Sequence, residues 1–292
     1  MPSFYGVGQS KSRPISLSAP LVGIGYRPPI AGWIESCPPE IECLEVTAEH
    51  FYKRGVLKLQ ELAQHFPMMV HGLGLSLGTP GPLHPDELEW FAAVVETTDP
   101  LWVSEHTGFR RTADFELGHF NPVCPNEETV ALFVDHLATL QDRIKKPVIL
   151  ENITTQLQVR GTLAETEFLN RICEQAGCGL LLDATNLYVN SRNHKFDPRM
   201  WLRDIDPQYI VQLHVVGYSY QDGQWHDLHQ QAIQQDLWAL IREVLEYAPV
   251  QAVILERDDN FPPASELAAE LKALKQAASE AQITRSAHAA NI

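Results

Sequence analysis

Residues 179–186 read GLLLDATN, a near-continuous apolar run that ends in aspartate, threonine and asparagine. Continuous apolar runs are typical of parallel strands buried on both faces, whereas half-exposed strands alternate apolar and polar residues. Comparable runs, each ending in polar residues, recur along the whole chain. The eight runs are residues 21–28, 41–50, 67–78, 101–108, 147–154, 179–186, 209–217 and 250–259.

Helical patterns separate these runs. The pattern at 85–96 begins with proline and acidic residues, and Asn126 is expected to cap the next helix. Thr162 with Glu165 matches a capping box, and Ser265 is expected to open the last helix. The expected helices are residues 56–66, 85–96, 127–146, 163–177, 197–204, 232–247 and 266–282.

Strand–helix alternation repeated eight times predicts an α/β protein with one closed (β/α)₈ TIM barrel of the xylose-isomerase type. The predicted domain spans 1–292, with an irregular N-terminal segment at 1–20 and a flexible tail at 283–292. An open doubly wound sheet is the alternative fold. It is disfavoured because no GxGxxG follows the first run and no linker divides the chain.

Composition narrows the function classes. The chain of 292 residues has a net charge of -15, from 37 acidic and 22 basic residues, which disfavours nucleic-acid binding. Five scattered cysteines with no CxxC pair indicate free thiols in a reducing compartment. The N-terminal stretch lacks the apolar segment of a signal peptide, and no run is long enough to span a membrane. We therefore expect a cytoplasmic protein without a membrane partner.

Polar side chains follow nearly every predicted strand. In (β/α)₈ barrels the active site lies at the C-terminal ends of the strands, so these side chains should meet at one rim. The strand ends supply His71, Glu105, His106, Glu151, Asn152, Asp183, Asn186, His214 and Glu256. The second run adds Glu45, Glu49 and His50, and the loops after the sixth and seventh runs add His194, Asp227 and His229.

So many carboxylates and imidazoles at one rim predict bound cations. Unpaired buried carboxylates are costly or become protonated, and a metal ion removes that conflict. Imidazole and carboxylate ligands without thiolate suit iron, manganese or zinc. Because the candidates outnumber the ligands that one ion uses, we expect two or three ions bridged by carboxylates.

Other features favour structural roles. His65, His84, His119 and His136 lie away from the strand ends and are expected at the surface. The glycines of the loop 72–78 do not fit the GxxxxGK[ST] phosphate motif and are expected to let the backbone turn tightly under the site. Cys43, inside a predicted strand, is expected to serve packing.

The chain resembles a known family, the multinuclear non-haem iron-dependent oxidative enzymes (MNIO), which include methanobactin-biosynthesis-B-like peptide-modifying enzymes. The resemblance runs from GIGYRPP (23–29) to ILERDDNFPP (254–263). Single motifs are weak, but their common order is specific. Between those ends it is carried by LEVTAEHFY (44–52), HGLGLSLG (71–78), VSEHTG (103–108), LENITT (150–155), LLDATNLYVNSRNHKFDP (181–198), QLHVVGY (212–218), and DLH (227–229) followed by Trp238.

The resemblance implies two or three iron ions in mixed Fe(II)/Fe(III) states, with O₂ as co-substrate. It implies oxidative modification of a ribosomally made precursor peptide, most often at cysteine. The family's motifs carry the catalytic residues over to Glu151, Asp183 and His214. The implied iron ligands are His71, His106, Glu151, Asp183, Asn186, His194, His214, Asp227, His229 and Glu256.

Four residues keep open roles. Glu105 and Asn152 match as ligands or as supporting residues. His50 departs from the family, which commonly has asparagine there, so the roles of Glu49 and His50 are undecided. Because the chain ends soon after its last predicted helix, the resemblance also implies a separate partner protein that recognises the leader peptide.

Two other functions remain alternatives. The first is a divalent-metal hydrolase or isomerase of the superfamily that includes xylose isomerase and the apurinic endonucleases, which uses a similar rim. The second is a metal-dependent binding module without catalytic activity. Zinc or manganese in place of iron would favour the first, and a lack of oxygen consumption with any peptide would favour the second.

Overall fold

The computed structural model describes residues 17–53, 55–112 and 114–289. Its strands, in chain order, are β1 (Leu21–Gly25), β2 (Cys43–Thr47), β3 (Met68–His71), β4 (Val103–His106), β5 (Gly108–Arg111), β6 (Glu116–Pro122), β7 (Val148–Glu151), β8 (Gly179–Asp183), β9 (Ile210–Val215), β10 (Gly217–Gln221), β11 (Gln224–Gln231) and β12 (Ala252–Leu255).

Eight of these strands close into a barrel in the order β1–β2–β3–β4–β7–β8–β9–β12, and β12 pairs with β1. All the barrel pairs are parallel. Each barrel strand falls within one of the eight apolar runs, so the predicted closed (β/α)₈ barrel is confirmed.

The helices are α1 (Ala31–Glu35), α2 (Val56–His65), α3 (Pro85–Thr98), α4 (Glu127–Ile144), α5 (Glu165–Ala176), α6 (Ala184–His194), α7 (Pro198–Asp204), α8 (Gln235–Tyr247) and α9 (Ala264–Ala289). Short 3₁₀ helices lie at Pro28–Ile30, Ala48–Phe51 and Pro207–Tyr209. None of the helices among the described residues is both long and apolar enough to cross a membrane.

One of the expected helix caps is confirmed and two are wrong. The Asn126 side chain accepts a hydrogen bond from the Thr129 N–H at 2.9 Å. Helix α5, however, is preceded by Ala164 without any side-chain cap, so the Thr162 capping box does not form. Helix α9 begins at Ala264, which places Ser265 inside the helix.

Both chain ends depart from the expected boundaries. Helix α9 continues to Ala289, so residues 283–289 are helical where the sequence predicted a tail. At the other end, residues 17–20 have no regular structure, and residues 1–16 lie outside the described residues.

Three elements at the C-terminal rim were not predicted, and two of them stand where the sequence predicted loops. Residues 184–194 form α6, and two antiparallel hairpins, β5–β6 and β10–β11, follow β4 and β9. In the second hairpin, Asp222 and Gly223 have φ of 51° and 82°, the left-handed pair that tight hairpin turns prefer. Asp227 and His229 lie on β11, in an irregular stretch between His226 and Gln231, which are the residues that pair with β10 on either side.

The lower barrel interior is apolar. Met69, Trp102, Ile149 and Ile254 are fully buried there. Cys43 belongs to the same cluster, which confirms its packing role. This filled interior leaves the upper rim as the part of the barrel where polar groups converge.

Candidate metal centre

The strand ends bring nine residues into groups that could hold a metal ion, eight of them predicted as ligands. Within each group, one ligand atom per residue lies within 4.8 Å of the others. The first group is His71, His106 and Glu151; the second is Glu151, Asp183, His214 and Glu256; the third is Asp183, Asp227 and His229; the fourth is His229, Glu256 and Asp258. Shared residues join neighbouring groups, which is the arrangement that bridged ions require.

In the first group, two imidazoles face one carboxylate oxygen. The Nε2 atoms of His71 and His106 each lie 3.5 Å from Glu151 Oε2. On the opposite side of each ring, the Nδ1 atom contacts a neighbouring side chain. His71 Nδ1 lies 2.8 Å from Ser104 Oγ, and His106 Nδ1 lies 3.1 Å from Glu105 Oε1. Such contacts fix a ring and leave the opposite nitrogen for a metal.

In the second group, His214 lies between two carboxylates. Its Nδ1 is 2.9 Å from Glu256 Oε2, and its Nε2 is 2.7 Å from Glu45 Oε1. Glu45 is held by Gln212, whose Nε2 donates to Glu45 Oε2 at 2.6 Å, and Gln212 accepts from Trp102 Nε1 at 2.6 Å. Glu45 therefore supports His214 from inside the barrel.

The third and fourth groups share His229. Its Nε2 lies 3.1 Å from Asp227 Oδ2, and its Nδ1 lies 2.9 Å from Asp258 Oδ2. Asp183, at the top of β8, uses Oδ1 to cap α6 by accepting the Asn186 N–H at 2.7 Å. The cap leaves Asp183 Oδ2 as the oxygen that is shared by the second and third groups.

Several atoms of these groups are buried without hydrogen-bond partners. They are Glu151 Oε2, Asp183 Oδ2, Glu256 Oε2 and both ring nitrogens of His214, whose close contacts with Glu45 and Glu256 do not have hydrogen-bond geometry. An unsatisfied buried polar group costs about 1–3 kcal/mol, and a charged group costs more. Glu151, Asp183 and Glu256 each belong to two groups, so divalent ions would satisfy their free oxygens together with one nitrogen of His214. This nitrogen and oxygen chemistry fits iron, manganese or zinc. No cysteine belongs to these groups among the described residues.

Electrostatics show the same crowding. Burial raises the pKa of Asp183 well above its ordinary value, and Asp227 and Glu151 raise it further. Burial lowers the pKa of His214, but the carboxylates of Glu45 and Glu256 outweigh burial and hold it well above the ordinary value. The carboxylates thus compete for positive charge, which bound cations supply.

A cavity of 740 Å³ opens over the groups. Polar ligand atoms form its floor, and apolar side chains form part of its walls. Phe120, on hairpin β5–β6, stacks on the His106 ring with centroids 3.8 Å apart and planes inclined by 23°. The apolar wall residues are Pro28, Pro29, Leu73, Phe120 and Ile153.

Two predicted ligands are placed differently. Asn186 lines the cavity, but its Oδ1 accepts from the Thr154 hydroxyl and its Nδ2 donates to the Asn152 carbonyl oxygen. His194, predicted in a loop, ends α6 and directs Nε2 to the Thr155 carbonyl oxygen at 2.7 Å. It lines a separate cavity because the helix carries it away from the rim.

Three of the residues with open roles support the rim. Glu105 also accepts the Leu75 N–H at 2.9 Å, while Glu49 accepts the Leu73 and Gly74 N–H groups at 2.7 and 2.6 Å. Asn152 exchanges two hydrogen bonds with the Asp183 backbone. The fourth residue, His50, lines the cavity but belongs to none of the four groups.

The glycines of loop 72–78 allow close approach as well as the expected tight turn, since Gly78 lies in a turn that the Thr79 N–H closes on the Ser76 carbonyl oxygen at 2.9 Å. Neither Gly72 nor Gly74 has positive φ. A Cβ at Gly74 would lie 2.9 Å from Glu49 Oε1, and one at Gly72 would lie 2.8 Å from the Phe91 ring. The missing side chains let the backbone reach the carboxylates.

Two residues of the rim were not predicted. Arg27 contacts Asp258 and Glu256, and Asp258 completes the fourth group. Their positions in the sequence could have indicated a place at the rim, since Arg27 follows β1 and Asp258 follows β12 by a few residues.

Of the four histidines expected at the surface, three are exposed and one is buried. His65, His84 and His119 are exposed, although His119 also lines the cavity from β6. His136 is only 2% exposed and lies between the Leu77 and Gly81 carbonyl oxygens, so its expected surface position is wrong.

The fold and these groups define a (β/α)₈ barrel with a candidate metal centre at its mouth. The chain belongs to the family described as RiPP precursor modification enzyme MbnB/TglH/ChrH, whose model matches residues 21–279. RiPPs are ribosomally synthesised and post-translationally modified peptides. The family resemblance seen in the sequence is thereby confirmed, and the chain is a member of an enzyme family that acts on RiPP precursors.

Individual relatives and solved structures are similar to this chain along most of its length. A UPF0276 protein of Caulobacter vibrioides is 32% identical over 255 residues, which cover 85% of this chain and 91% of the relative. Endonuclease IV from Thermus thermophilus has a TM-score of 0.57 at 15% identity, covering 89% of this chain and 100% of that chain. A xylose isomerase domain protein from Alicyclobacillus acidocaldarius has a TM-score of 0.56 at 13% identity, covering 89% of this chain and 99% of that one. The solved structures show the shared barrel fold.

Proposed function

We propose that this protein is a multinuclear non-haem iron oxidoreductase that uses O₂ to modify a ribosomally made precursor peptide. We propose cysteine as the residue that it modifies. The observation that carries the proposal is the continuity of the metal groups. Glu151 joins the first group to the second, and Asp183 joins the second to the third. Membership of a RiPP precursor modification family supplies the substrate class.

The proposed iron ligands differ in how directly the geometry of the rim supports them. His71, His106, Glu151, Asp183, His214, Asp227, His229 and Glu256 belong to the observed groups. Asn186 lies at the cavity wall next to Asp183, so we retain it in the proposed set. His194 is the weakest member, because its Nε2 faces the Thr155 carbonyl oxygen instead of the rim.

The side chains around the cavity have defined tasks in this function. Bound iron would supply one-electron oxidation of the substrate by O₂. Glu151, Asp183 and His214, the proposed catalytic residues, would hold that iron. The cavity volume of 740 Å³ lies within the range of small-ligand sites and admits one substrate side chain with its neighbouring backbone. Phe120 covers His106 and limits water at that ligand.

The proposal is tested by metal analysis and co-expression. Protein purified without oxygen should contain iron, and co-expression with a cysteine-containing precursor peptide encoded beside its gene should change the peptide's mass only when O₂ is present. Glu151→Gln and Asp183→Asn preserve shape but remove a shared carboxylate, and each should abolish the mass change. Zinc or manganese without iron would refute the oxidative function and favour the hydrolase or isomerase alternative.

We also propose a separate partner that recognises the leader peptide, and a cytoplasmic location. All five cysteines are free thiols, which suits a reducing compartment. The net charge of -15 favours a basic patch on the leader or partner. Purified enzyme should modify the precursor poorly alone and well with the partner; equal rates without it would remove the partner from the proposal.

A further inference from the structure

The fourth group differs from the other three because a guanidinium lies in it. Arg27 Nε is 2.5 Å from Asp258 Oδ1, and an Arg27 terminal nitrogen is 3.5 Å from Glu256 Oε1. Among the described residues, neither lysine nor arginine pairs with Glu151, Asp183 or Asp227. A permanently charged side chain therefore already pairs with two carboxylates of the fourth group.

The chain places Arg27 firmly. Its Nη1 donates to the Tyr26 carbonyl oxygen at 3.0 Å, and the side chain is buried. A Cβ at Gly25 would lie 2.9 Å from Arg27 Nη1, so the absence of a side chain at Gly25 makes room for the guanidinium. Pro28, which follows, begins a 3₁₀ helix, and Pro28 and Pro29 line the cavity beside the guanidinium.

Asp258 links Arg27 to His229. While Oδ1 accepts from Arg27, Oδ2 accepts from His229 Nδ1 at 2.9 Å. The Asp258 N–H also donates to the His229 carbonyl oxygen at 2.9 Å, so backbone and side chain both join the two residues.

The consequence concerns which nitrogen of His229 is free. If Nδ1 carries the proton donated to Asp258, Nε2 has the lone pair, and Nε2 is the nitrogen that lies beside Asp227 in the third group. A carboxylate that holds a histidine in this way orients the ring and makes it a better ligand.

We propose that Arg27 and Asp258 are positioning residues that hold His229 Nε2 toward the third metal group, and that the fourth group binds no ion because the guanidinium occupies it. Glu256 is divided accordingly. Its Oε1 faces Arg27, and its Oε2 serves the second group beside His214. The centre then holds at most three ions. This inference rests on the proposed metal-dependent function, but not on iron, oxygen or the peptide.

Metal binding alone tests the inference. Metal-free protein is titrated anaerobically with Co²⁺, and ions per chain, affinities and the visible absorption spectrum are measured. We expect wild type to saturate at no more than three ions. His229→Ala should lose one ion, whereas Asp258→Ala should keep it with roughly 10–100-fold weaker binding and an altered spectrum.

Conservative variants separate positioning from simple loss of structure. Asp258→Asn retains an acceptor for His229 Nδ1–H and should restore most of the affinity and the wild-type spectrum. Arg27→Gln should weaken the same ion, and combined with Asp258→Ala it should add little, because both act through one contact. Asp259→Asn, at the exposed neighbouring carboxylate, is the matched control and should bind as wild type does.

Specific outcomes would overturn the inference. A fourth ion in wild type, loss of an ion in Asp258→Asn, wild-type affinity in Asp258→Ala, or additive effects of the two variants would each contradict it. Thermal unfolding of each metal-free variant checks that it folds. If wild type binds no divalent metal, the proposed function is refuted as well. If wild type binds three ions but the variants give one of the contradicting results above, only this inference is refuted.

Discussion

The Glu49 carboxylate accepts hydrogen bonds from the backbone of the rim, but its burial reduces the stability of the folded chain. Its Oε1 accepts two backbone N–H groups, but its Oε2 is buried without a partner. Burial, with the nearby Glu105, raises the pKa of Glu49 from 4.5 to about 7. At neutral pH the carboxyl is therefore only partly ionised, although its exposed counterpart in the unfolded chain is fully ionised.

Replacement of Glu49 by glutamine should remove a pH dependence of stability. Between pH 4.5 and 7 the Glu49 carboxyl binds more protons in the folded chain than in the unfolded chain. The free energy of unfolding is therefore highest below this range and falls as the pH rises through it. At ~1.4 kcal/mol per unit, the free energy of unfolding of metal-free wild type should fall by about 3 kcal/mol relative to Glu49→Gln. Denaturant unfolding from pH 4 to 8 measures this difference.

A control at the exposed Glu246 distinguishes this effect from the loss of one negative charge. Glu246→Gln should follow wild type across the same pH range. If the Glu49→Gln and wild-type curves remain parallel, Glu49 does not titrate between the two states, and its burial is not the cause of strain at the rim.

The sequence predicted single residues well where position and chemistry coincide. His71, His106, Glu151, Asp183, His214 and Glu256 were expected at the rim because each ends an apolar run, and the structure brings them together. Arg27 and Asp258 lie near strand ends too, but an arginine is not a metal ligand and an aspartate in an acidic stretch is usually solvated. Only their three-dimensional contact reveals the role.

Among the elements, hairpin β10–β11 has the most direct link to the site. It carries Asp227 and His229, and its base is closed at Gly217, which pairs with Gln231. A Cβ at Gly217 would lie 2.0 Å from the Ala232 carbonyl oxygen, a distance that the backbone cannot accommodate without moving. The geometry of the third metal group therefore depends on a residue with no side chain.

Substitution Gly217→Ala should detach the hairpin from the barrel mouth without unfolding the barrel. We expect it to lose the ion of the third group, which needs Asp227 and His229, while the ion between His71, His106 and Glu151 remains. Counting ions per chain in Gly217→Ala checks this. Gly223→Asn, at the hairpin tip where nothing lies within 4 Å of an added Cβ and where asparagine tolerates positive φ, is the matched control.

A full set of ions in Gly217→Ala would show that the hairpin tolerates the displacement and that its base does not position the third group. Loss of every ion together with early unfolding would show instead that the hairpin is part of the barrel's own stability.

The sequence was more informative about the barrel strands than about the elements above them. Barrel strands such as β8 are buried on both faces, so their apolar runs are continuous. The hairpins and α6 cover the rim and carry polar residues that face the site. Their sequences therefore show neither the helical nor the strand pattern of apolar residues. In α6, Asp183 is both a helix cap and a member of two metal groups, and sequence spacing revealed the second role alone.

For the whole molecule, the barrel and the candidate centre make opposite contributions to stability. The apolar interior favours folding, whereas the rim brings several carboxylates together against their mutual repulsion. The net charge of -15 adds a general repulsion in the same direction. The metal-free barrel is thus expected to be less stable than its core alone would suggest, and bound cations should restore the difference.

Metal loading should therefore stabilise the folded chain more than a surface ion would. A ligand that binds only the folded state stabilises it by RT ln(1 + [L]/Kd), about 2.7 kcal/mol for one site at a hundredfold excess over Kd. Differential scanning calorimetry of metal-free protein, with increasing Co²⁺ or Zn²⁺, should show a rising Tm that chelator reverses. Asp183→Asn, which removes the carboxylate shared by the second and third groups, should lose most of this rise. Its metal-free Tm should increase, because it removes a carboxyl whose ionisation is opposed by burial, Asp227 and Glu151. A Tm that does not respond to metal in wild type would mean that the carboxylates of the rim are neutralised by protons, and that the four groups are not an ion-binding centre.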